Sequence, residues 1–179
     1  MKLSVFQETW RRDFESIAQL LSPALDGTSA TIVHIGSTSI PGSISKPIID
    51  IDLVARTTEE SDHLLRGLES IGYVHRGDLG ISGRETFFHP PHLAYHHLYL
   101  VQENSGAYRD HVDFKSALIA SPQLLAEYNS LKRGLEYLLS SDRAAYTEGK
   151  REFIEKVLFD YRRQLNTLKE SNLKDIGGR

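Results

Sequence analysis

Cysteine is absent from this chain of 179 residues. The protein therefore has no disulfides, no thiol nucleophile and no cysteine-ligated zinc site. An apolar run of membrane-spanning length is also absent, and the opening residues, MKLSVFQETWRRDF, lack the apolar core and cleavage site of a signal peptide. We therefore expect a cytoplasmic protein that does not insert into a membrane.

A concentrated block of positive charge is missing as well. The formal net charge is −3, and the 21 lysines and arginines are spread along the chain. Proteins that bind a nucleic-acid backbone need a basic stripe, so nucleic acid is disfavoured as a partner. The length and the ordinary globular composition suit one domain. We place this domain at 1–170 and expect a frayed polar tail over 171–179.

Hydrophobic periodicity predicts a mixture of helices and strands. Ser4 and Gln7 resemble a capping box that would open a helix over 5–21. Further helices are predicted over 58–71, 107–119, 122–139 and 142–168, and strands over 30–35, 47–54, 73–76, 84–89 and 94–101. This order predicts an α+β fold: a small mixed sheet flanked by helices, with a sheet core at about 30–101 and a helical part at about 106–168.

Two aspartates interrupt the most apolar strand. Asp50 and Asp52 lie in PIIDIDLV, where alternation places both side chains on one face. A buried unpaired carboxylate is costly and two like charges repel, whereas a divalent cation removes both difficulties. Carboxylate oxygens suit Mg²⁺ or Mn²⁺, whose other positions are usually filled by water and substrate phosphates. The alternative is an acidic, half-exposed strand face without a metal.

The loop before this strand offers groups that bind an anion. Gly36 permits close backbone approach, and Ser37 and Thr38 add hydroxyls beside exposed N–H groups. A Pro-Gly turn follows, so the flanking strands can pair with the loop and the aspartates facing one pocket. Lys46 would supply a positive charge there. The alternative is a plain turn with a solvated lysine.

The same stretch resembles known families. "IGS", twelve residues and then "DIDL" is similar to the signature of the nucleotidyltransferase superfamily, which includes DNA polymerase β and the aminoglycoside nucleotidyltransferases. More closely, HIGSTSIPGSISKPIIDIDL resembles the GrpB family of bacterial proteins. The likeness covers nearly the whole chain, because it continues through GYVHRGDLGISGRETFF, HHLYLV, RDHVDFKSAL and YTEGKREFI.

The resemblance implies a nucleotidyltransferase fold and its chemistry. An acceptor oxygen would attack the α-phosphate of a nucleoside triphosphate, and pyrophosphate would leave. Carried onto this sequence, the resemblance assigns Gly36 and Ser37 to the phosphate loop, and Asp50 and Asp52 to the metal. The metal charge would stabilise the transition state and lower the pKa of the acceptor.

A third carboxylate, usual in active members of the superfamily, is missing from the strand AYHHLYLV. His97 is the candidate for that position because histidine ligates metals and accepts protons, although it equally suits a packing role. Glu85 would replace the acid if its strand borders the pocket. Arg84 is a phosphate candidate, and so is Lys150 in YTEGK, because helical lysines contact triphosphate in some superfamily relatives.

These observations predict a metal-dependent nucleotidyltransferase that uses Mg²⁺ or Mn²⁺. It would transfer a nucleoside monophosphate from a nucleoside triphosphate to a small-molecule acceptor. The missing third acid keeps open an alternative, a catalytically inactive accessory module that binds nucleotide or phosphate. A metal-dependent phosphohydrolase using His97 is a third reading, which no paired His-Asp motif supports. The sequence leaves open the nucleotide, the acceptor and the oligomeric state.

Overall fold

The computed structural model describes the backbone of residues 2–177 and the side chains of residues 2–170. The chain divides into two compact units, one of residues 2–112 and one that begins at Asp113. In the described chain, the first unit contains all the strands and the second is helical. The tail predicted at 171–179 lies outside the described side chains. Its fraying and the single domain of 1–170 stay predictions.

The described strands form two sheets in the first unit. Their bounds are β1 Ser4–Val5, β2 Thr31–Ile35, β3 Ile44–Ser45, β4 Ile49–Ala55, β5 Val74–Gly77, β6 Arg84–Phe88 and β7 His96–Gln102. The main sheet has the order β2-β4-β7-β6-β5, in which β4 and β7 are parallel and the other neighbours are antiparallel. The predicted α+β class, with a mixed sheet flanked by helices and a C-terminal helical region, is confirmed.

The described chain has six α-helices, and several of them begin at a side-chain cap. Their bounds are α1 Thr9–Leu21, α2 Thr58–Ser70, α3 Gly106–Ala120, α4 Pro122–Gly134, α5 Arg143–Glu148 and α6 Arg151–Gly177. Thr57 caps α2 by accepting from the N–H of Glu60, and Asp142 caps α5 by accepting from the N–H of Ala145. Within residues 2–177, each helix is too short or too polar for a bilayer span.

The prediction of an N-terminal helix over 5–21 is wrong at its start. Ser4 belongs to β1 and pairs with Ser45 of β3, so it does not cap a helix. The helix begins at Thr9, and Glu8 precedes it without a side-chain capping bond. The conformation of Ser4 and Val5 depends on pairing with a strand that is distant in sequence, and the local capping pattern does not contain that information.

The single helix predicted over 142–168 is also wrong, because the chain breaks between α5 and α6. Gly149 ends α5, and its N–H donates to the carbonyl of Ala145. A Cβ at this position would lie 2.9 Å from a methyl carbon of Leu135. Glycine therefore lets the backbone pack closely against that side chain.

Strand β4 divides apolar and acidic side chains between its two faces. Ile49, Ile51 and Leu53 point into the main core. That core is completed by residues of α1, α2 and the other strands, among them Ile17, Leu21, Leu64, Leu68, Leu98 and Leu100. Asp50 and Asp52 alternate with these residues and therefore lie on the opposite face, which we call the acidic face. The fold thus anchors the aspartates on a fully packed strand.

Candidate functional site

The acidic face combines the aspartates of β4 with two side chains of β7. The parallel register sets Asp50 beside His97 and Asp52 beside Tyr99. Asp52 is completely buried, whereas Asp50 is partly exposed. Both aspartates lie on β4, an interior strand that is paired with β2 on one side and with β7 on the other, so the surrounding backbone hydrogen bonds fix their positions.

His97 forms a close pair with Asp50. Its Nδ1 lies 2.7 Å from Oδ1 of Asp50. A neutral imidazole that donates its Nδ1–H to a carboxylate carries its lone pair on Nε2. The predicted proximity of His97 to the aspartates is therefore present, while its catalytic or metal-binding role stays a prediction.

A second histidine, His111 of α3, pairs with Asp52. Nδ1 of His111 lies 2.8 Å from Oδ2 of Asp52. His111 is not among the site residues predicted from the sequence, although it lies in the family-like run RDHVDFKSAL. Helical spacing puts His111 on the same side of α3 as Ala107 and Tyr108, one turn earlier, and the structure shows that these two residues pack beside Val54.

The buried carboxylate of Asp52 has competing neighbours. Burial raises its pKa above the usual value, and the negative charge of Asp50 adds to the increase. The hydrogen bond and charge of His111, with the charge of Arg84, act in the opposite direction. Among the described residues, no group donates to Oδ1 of Asp52. A proton or a cation at this oxygen would offset the cost of burial.

A divalent metal fits this donor set. Mg²⁺ typically takes one or two protein carboxylates and completes its coordination with water and phosphate oxygens. Asp50 and Asp52 supply two carboxylates on one face, and Oδ1 of Asp52 is a buried oxygen without a protein partner in the described chain. The described side chains include no cluster of three or more metal-ligating residues. The fit is thus to a cation shared with a phosphate ligand and not to a closed protein cage.

Arg84 brings a positive charge to the acidic face. Its guanidinium carbon lies 4.8 Å from the centre of the Tyr99 ring. Its Nε is buried and has no hydrogen-bond partner within the described residues. The charge of Arg84 also lowers the pKa of Asp52, so the two side chains are close enough to interact. The guanidinium thus lies on the same face of the sheet as the aspartates, and its contact with phosphate stays a prediction.

The Gly-Ser loop packs directly on Asp50. Gly36 has a φ of 66°, and a Cβ built there would overlap Oδ2 of Asp50. After Gly36 the chain makes one short turn, Ser37–Ser39, closed by the Ser39 hydroxyl donating to the Gly36 carbonyl at 2.8 Å. Only glycine permits both this left-handed conformation and the close approach. The loop and the carboxylate therefore form one continuous surface.

The other predicted loop residues have different surroundings. Thr38 is buried, and its hydroxyl lies 3.0 Å from Nε2 of His34, whose ring stacks on Phe14. Ser37 begins the turn after Gly36 and is half-buried. Lys46 is half-buried between β3 and β4. Phosphate binding by these three residues stays a prediction, and the contact with His34 directs the Thr38 hydroxyl inward.

Glu85 does not replace the missing third acid. It pairs in register with Leu100, a residue of the main core, and its carboxylate accepts from Nε2 of His75 at 2.6 Å. This places Glu85 on the face opposite the aspartates, so that expectation is wrong.

Lys150 belongs to the helical unit, where its ammonium lies 4.7 Å from the centre of the Tyr146 ring. Its phosphate-binding role stays a prediction.

Comparison with known proteins identifies the family. The family model described as "GrpB protein" matches residues 1–159. The chain belongs to the GrpB family. The recognition made from the sequence motifs is therefore confirmed at the level of this family.

Curated GrpB relatives are distant in sequence. The glutamate-rich protein GrpB of Alkalihalophilus pseudofirmus is 30% identical over 161 residues, which cover 87% of this chain and 92% of that protein. YqkA of Bacillus subtilis is 30% identical over 154 residues, or 86% of this chain. The match covers 45% of the YqkA sequence.

Solved structures include a GrpB protein of similar size. The crystal structure of GrpB from Enterococcus faecalis has a TM-score of 0.78 and 30% identity, and the match covers 91% of this chain and 98% of that one. The Cid1 poly(U) polymerase in its MgGTP-bound form aligns with a TM-score of 0.45 and 11% identity, over 72% of this chain and 45% of Cid1. A likeness of that size carries no argument about this protein's chemistry.

Proposed function

We propose that this member of the GrpB family is a metal-dependent nucleotidyltransferase of the cytoplasm. It transfers a nucleoside monophosphate from a nucleoside triphosphate to a small-molecule acceptor. One observation carries the proposal: the Gly36 backbone approaches the Asp50 carboxylate so closely that a Cβ would overlap it. A loop suited to phosphate and a pair of carboxylates suited to a metal are therefore neighbours in one site.

Asp50 and Asp52 would hold Mg²⁺ or Mn²⁺. When bound, the metal would stabilise the negative charge that develops on the transferring phosphoryl group and lower the pKa of the acceptor. His111 keeps the Asp52 carboxylate oriented through its bond to Oδ2, which leaves Oδ1 for the ligand.

His97 provides the base for the acceptor. The bond from its Nδ1 to Asp50 leaves the lone pair on Nε2. The acceptor oxygen forms a bond to the α-phosphorus, and the bond from that phosphorus to the bridging oxygen breaks, releasing pyrophosphate. The acceptor proton passes to Nε2 of His97. The histidine thereby takes the base role that a third carboxylate often has in the superfamily.

Binding of the triphosphate requires positively charged side chains and hydrogen-bond donors. Arg84 is the best supported of these, because its guanidinium lies against Tyr99 on the acidic face. The Gly36 and Ser37 backbone would receive phosphate oxygens. Thr38, Lys46 and Lys150 are further candidates, with Thr38 acting through its backbone because its hydroxyl contacts His34.

The direct test is a titration of the purified chain with Mg²⁺ or Mn²⁺ and each of the four nucleoside triphosphates, followed by measurement of pyrophosphate release with a panel of small alcohols and phosphates. We expect metal-dependent binding and release, and loss of both in the Asp50→Asn plus Asp52→Asn variant. Asp62→Asn, on the exposed surface of α2, is the matched control and should behave as wild type. Absence of metal and nucleotide binding under every condition would refute the proposal.

Gly36→Ala tests the observation on which the proposal rests. The new Cβ would displace Asp50, so pyrophosphate release should fall at least about tenfold, the effect of misplacing a reacting group by a fraction of an ångström to an ångström. Gly27→Ala is the control, because Gly27 has a similar φ of 79° but open space around it. Equal pyrophosphate release by Gly36→Ala and Gly27→Ala would show that the loop is not part of the active site.

A catalytically inactive nucleotide-binding module is the second candidate. It is favoured by β7, which presents His97 and Tyr99 beside the aspartates and no carboxylate. Metal-dependent binding of a nucleoside triphosphate, lost in the double aspartate variant and never accompanied by pyrophosphate release, would identify this module.

A further inference from the structure

Tyr95 extends the row of side chains on the acidic face. It immediately precedes β7, and alternation along the chain places it on the same side as His97 and Tyr99. The ring centres of Tyr95 and His97 are 5.5 Å apart, and those of His97 and Tyr99 are 6.4 Å apart. Three aromatic rings thus follow one another alongside Asp50 and Asp52.

The Tyr95 hydroxyl completes a chain of polar contacts that begins at Asp50. It lies 3.5 Å from Nε2 of His97, whose Nδ1 is 2.7 Å from the Asp50 carboxylate. The order carboxylate, imidazole, hydroxyl is the arrangement by which proteins activate a hydroxyl as a nucleophile, and the imidazole–hydroxyl distance is often long before substrate binds.

Tyr95 and Tyr99 differ in their exposure to solvent and in their contacts, and a nucleophile must be accessible to its substrate. Tyr95 is 52% exposed, and its ring packs edge-on against His89 at 5.1 Å. Within the described residues, its hydroxyl makes no hydrogen bond other than that to His97. Tyr99 is half-buried, and the guanidinium of Arg84 lies over its ring. Of these two tyrosines, Tyr95 is the more exposed and is the one whose hydroxyl contacts the candidate base in the described structure.

We propose that Tyr95 is a nucleotidylation site of this protein: its phenol occupies the acceptor position beside His97 and takes a nucleoside monophosphate. The phenolic oxygen bonds to the α-phosphorus, pyrophosphate leaves with the bridging oxygen, and the phenolic proton passes to Nε2 of His97. The product is a tyrosyl phosphodiester on the chain itself. The inference rests on the proposed function and adds to it the chemical class of acceptor, an aryl hydroxyl.

The test is incubation of the full chain with Mg²⁺ and each nucleoside triphosphate, without added acceptor. Intact mass and peptide mass spectrometry then locate the label. We expect one nucleoside monophosphate on Tyr95 and none on the Tyr95→Phe variant, which keeps the ring that contacts His89. Tyr137→Phe is the matched control, because Tyr137 is 71% exposed and should be irrelevant to labelling. His97→Asn should slow labelling by about 100-fold or more.

The outcomes separate this inference from the proposed function. A label at another residue, or equal labelling of Tyr95→Phe and wild type, overturns the inference. Pyrophosphate release with an added small acceptor, without any label on Tyr95, also overturns it while leaving the proposed transferase intact. Neither release nor label with any nucleotide overturns both. Circular dichroism and thermal unfolding of each variant identify a loss of label that is caused by misfolding. If the His97→Asn variant folds and is labelled as fast as wild type, the inference is overturned.

Discussion

Among the described residues, each compact unit has one buried carboxylate or ammonium group, and the surroundings of the two groups differ. In the sheet unit Asp52 has no exposed surface, and in the helical unit Lys132 is 2% exposed. Asp52 bonds to His111 and interacts with the charge of Arg84. Lys132 lies over the Tyr128 ring, 4.3 Å from its centre, and the charge of Lys150 acts against its own.

The pKa values of the two buried groups respond differently to their surroundings. Burial raises the pKa of Asp52, but groups of opposite charge counteract the shift. Burial and the charge of Lys150 together lower the pKa of Lys132 to about 7. In the sheet unit, His111 and Arg84 therefore oppose the increase in pKa that burial and the charge of Asp50 cause. The helical unit holds an amine that loses its proton at an unusually low pH.

The largest expected effect comes from Asp52→Asn. Pyrophosphate release should fall at least about 100-fold, because a candidate metal ligand is lost. The raised pKa means that the folded state disfavours the ionised form, so neutral asparagine should not lower the free energy of unfolding at pH 7 without metal. Urea denaturation measures the second quantity. Destabilisation by more than about 3 kcal/mol would instead make Asp52 a structural residue.

A smaller effect is expected from His111→Ala, which removes the donor to Asp52. Loss of an outer partner of this kind typically costs about 10–100-fold in activity. His111→Asn keeps an N–H near the place of Nδ1 and should recover most of the lost rate. Pyrophosphate release by His111→Ala and His111→Asn is the measurement, and it tests whether His111 acts by orienting the Asp52 carboxylate. Equal loss in both variants would show that orientation of the carboxylate is not what His111 provides.

The smallest effect concerns stability and pH in the helical unit. The folded-state pKa of Lys132 is about 7 and the ordinary value is 10.5, so between these pH values the unfolded state binds more protons. The free energy of unfolding should therefore rise with pH over this window, by at least about 1 kcal/mol. Lys132→Met should flatten the rise, as urea denaturation from pH 6 to 10 can measure. The exposed Lys169→Met control should keep it, and an unchanged rise in Lys132→Met would contradict the assignment.

Much of the sheet unit was predictable because its information is local. Alternation in PIIDIDLV correctly put Asp50 and Asp52 on one face, and the Gly-Ser loop before it lies against Asp50. The N-terminal helix was misplaced because Ser4 pairs with a strand far along the chain. Glu85 was misjudged because its face depends on the register between β6 and β7, and a sequence pattern does not reveal register.

The sequence by itself determined the family, the α+β class and the two carboxylates of the site, since periodicity and a long motif are properties of neighbouring residues. Only the tertiary structure decided which side chains complete that site. The pairs Asp50–His97 and Asp52–His111, and the contact of Tyr95 with His97, depend on strand register and on how α3 packs. Contacts between residues distant in sequence follow from the packing of whole elements, and no local pattern encodes them.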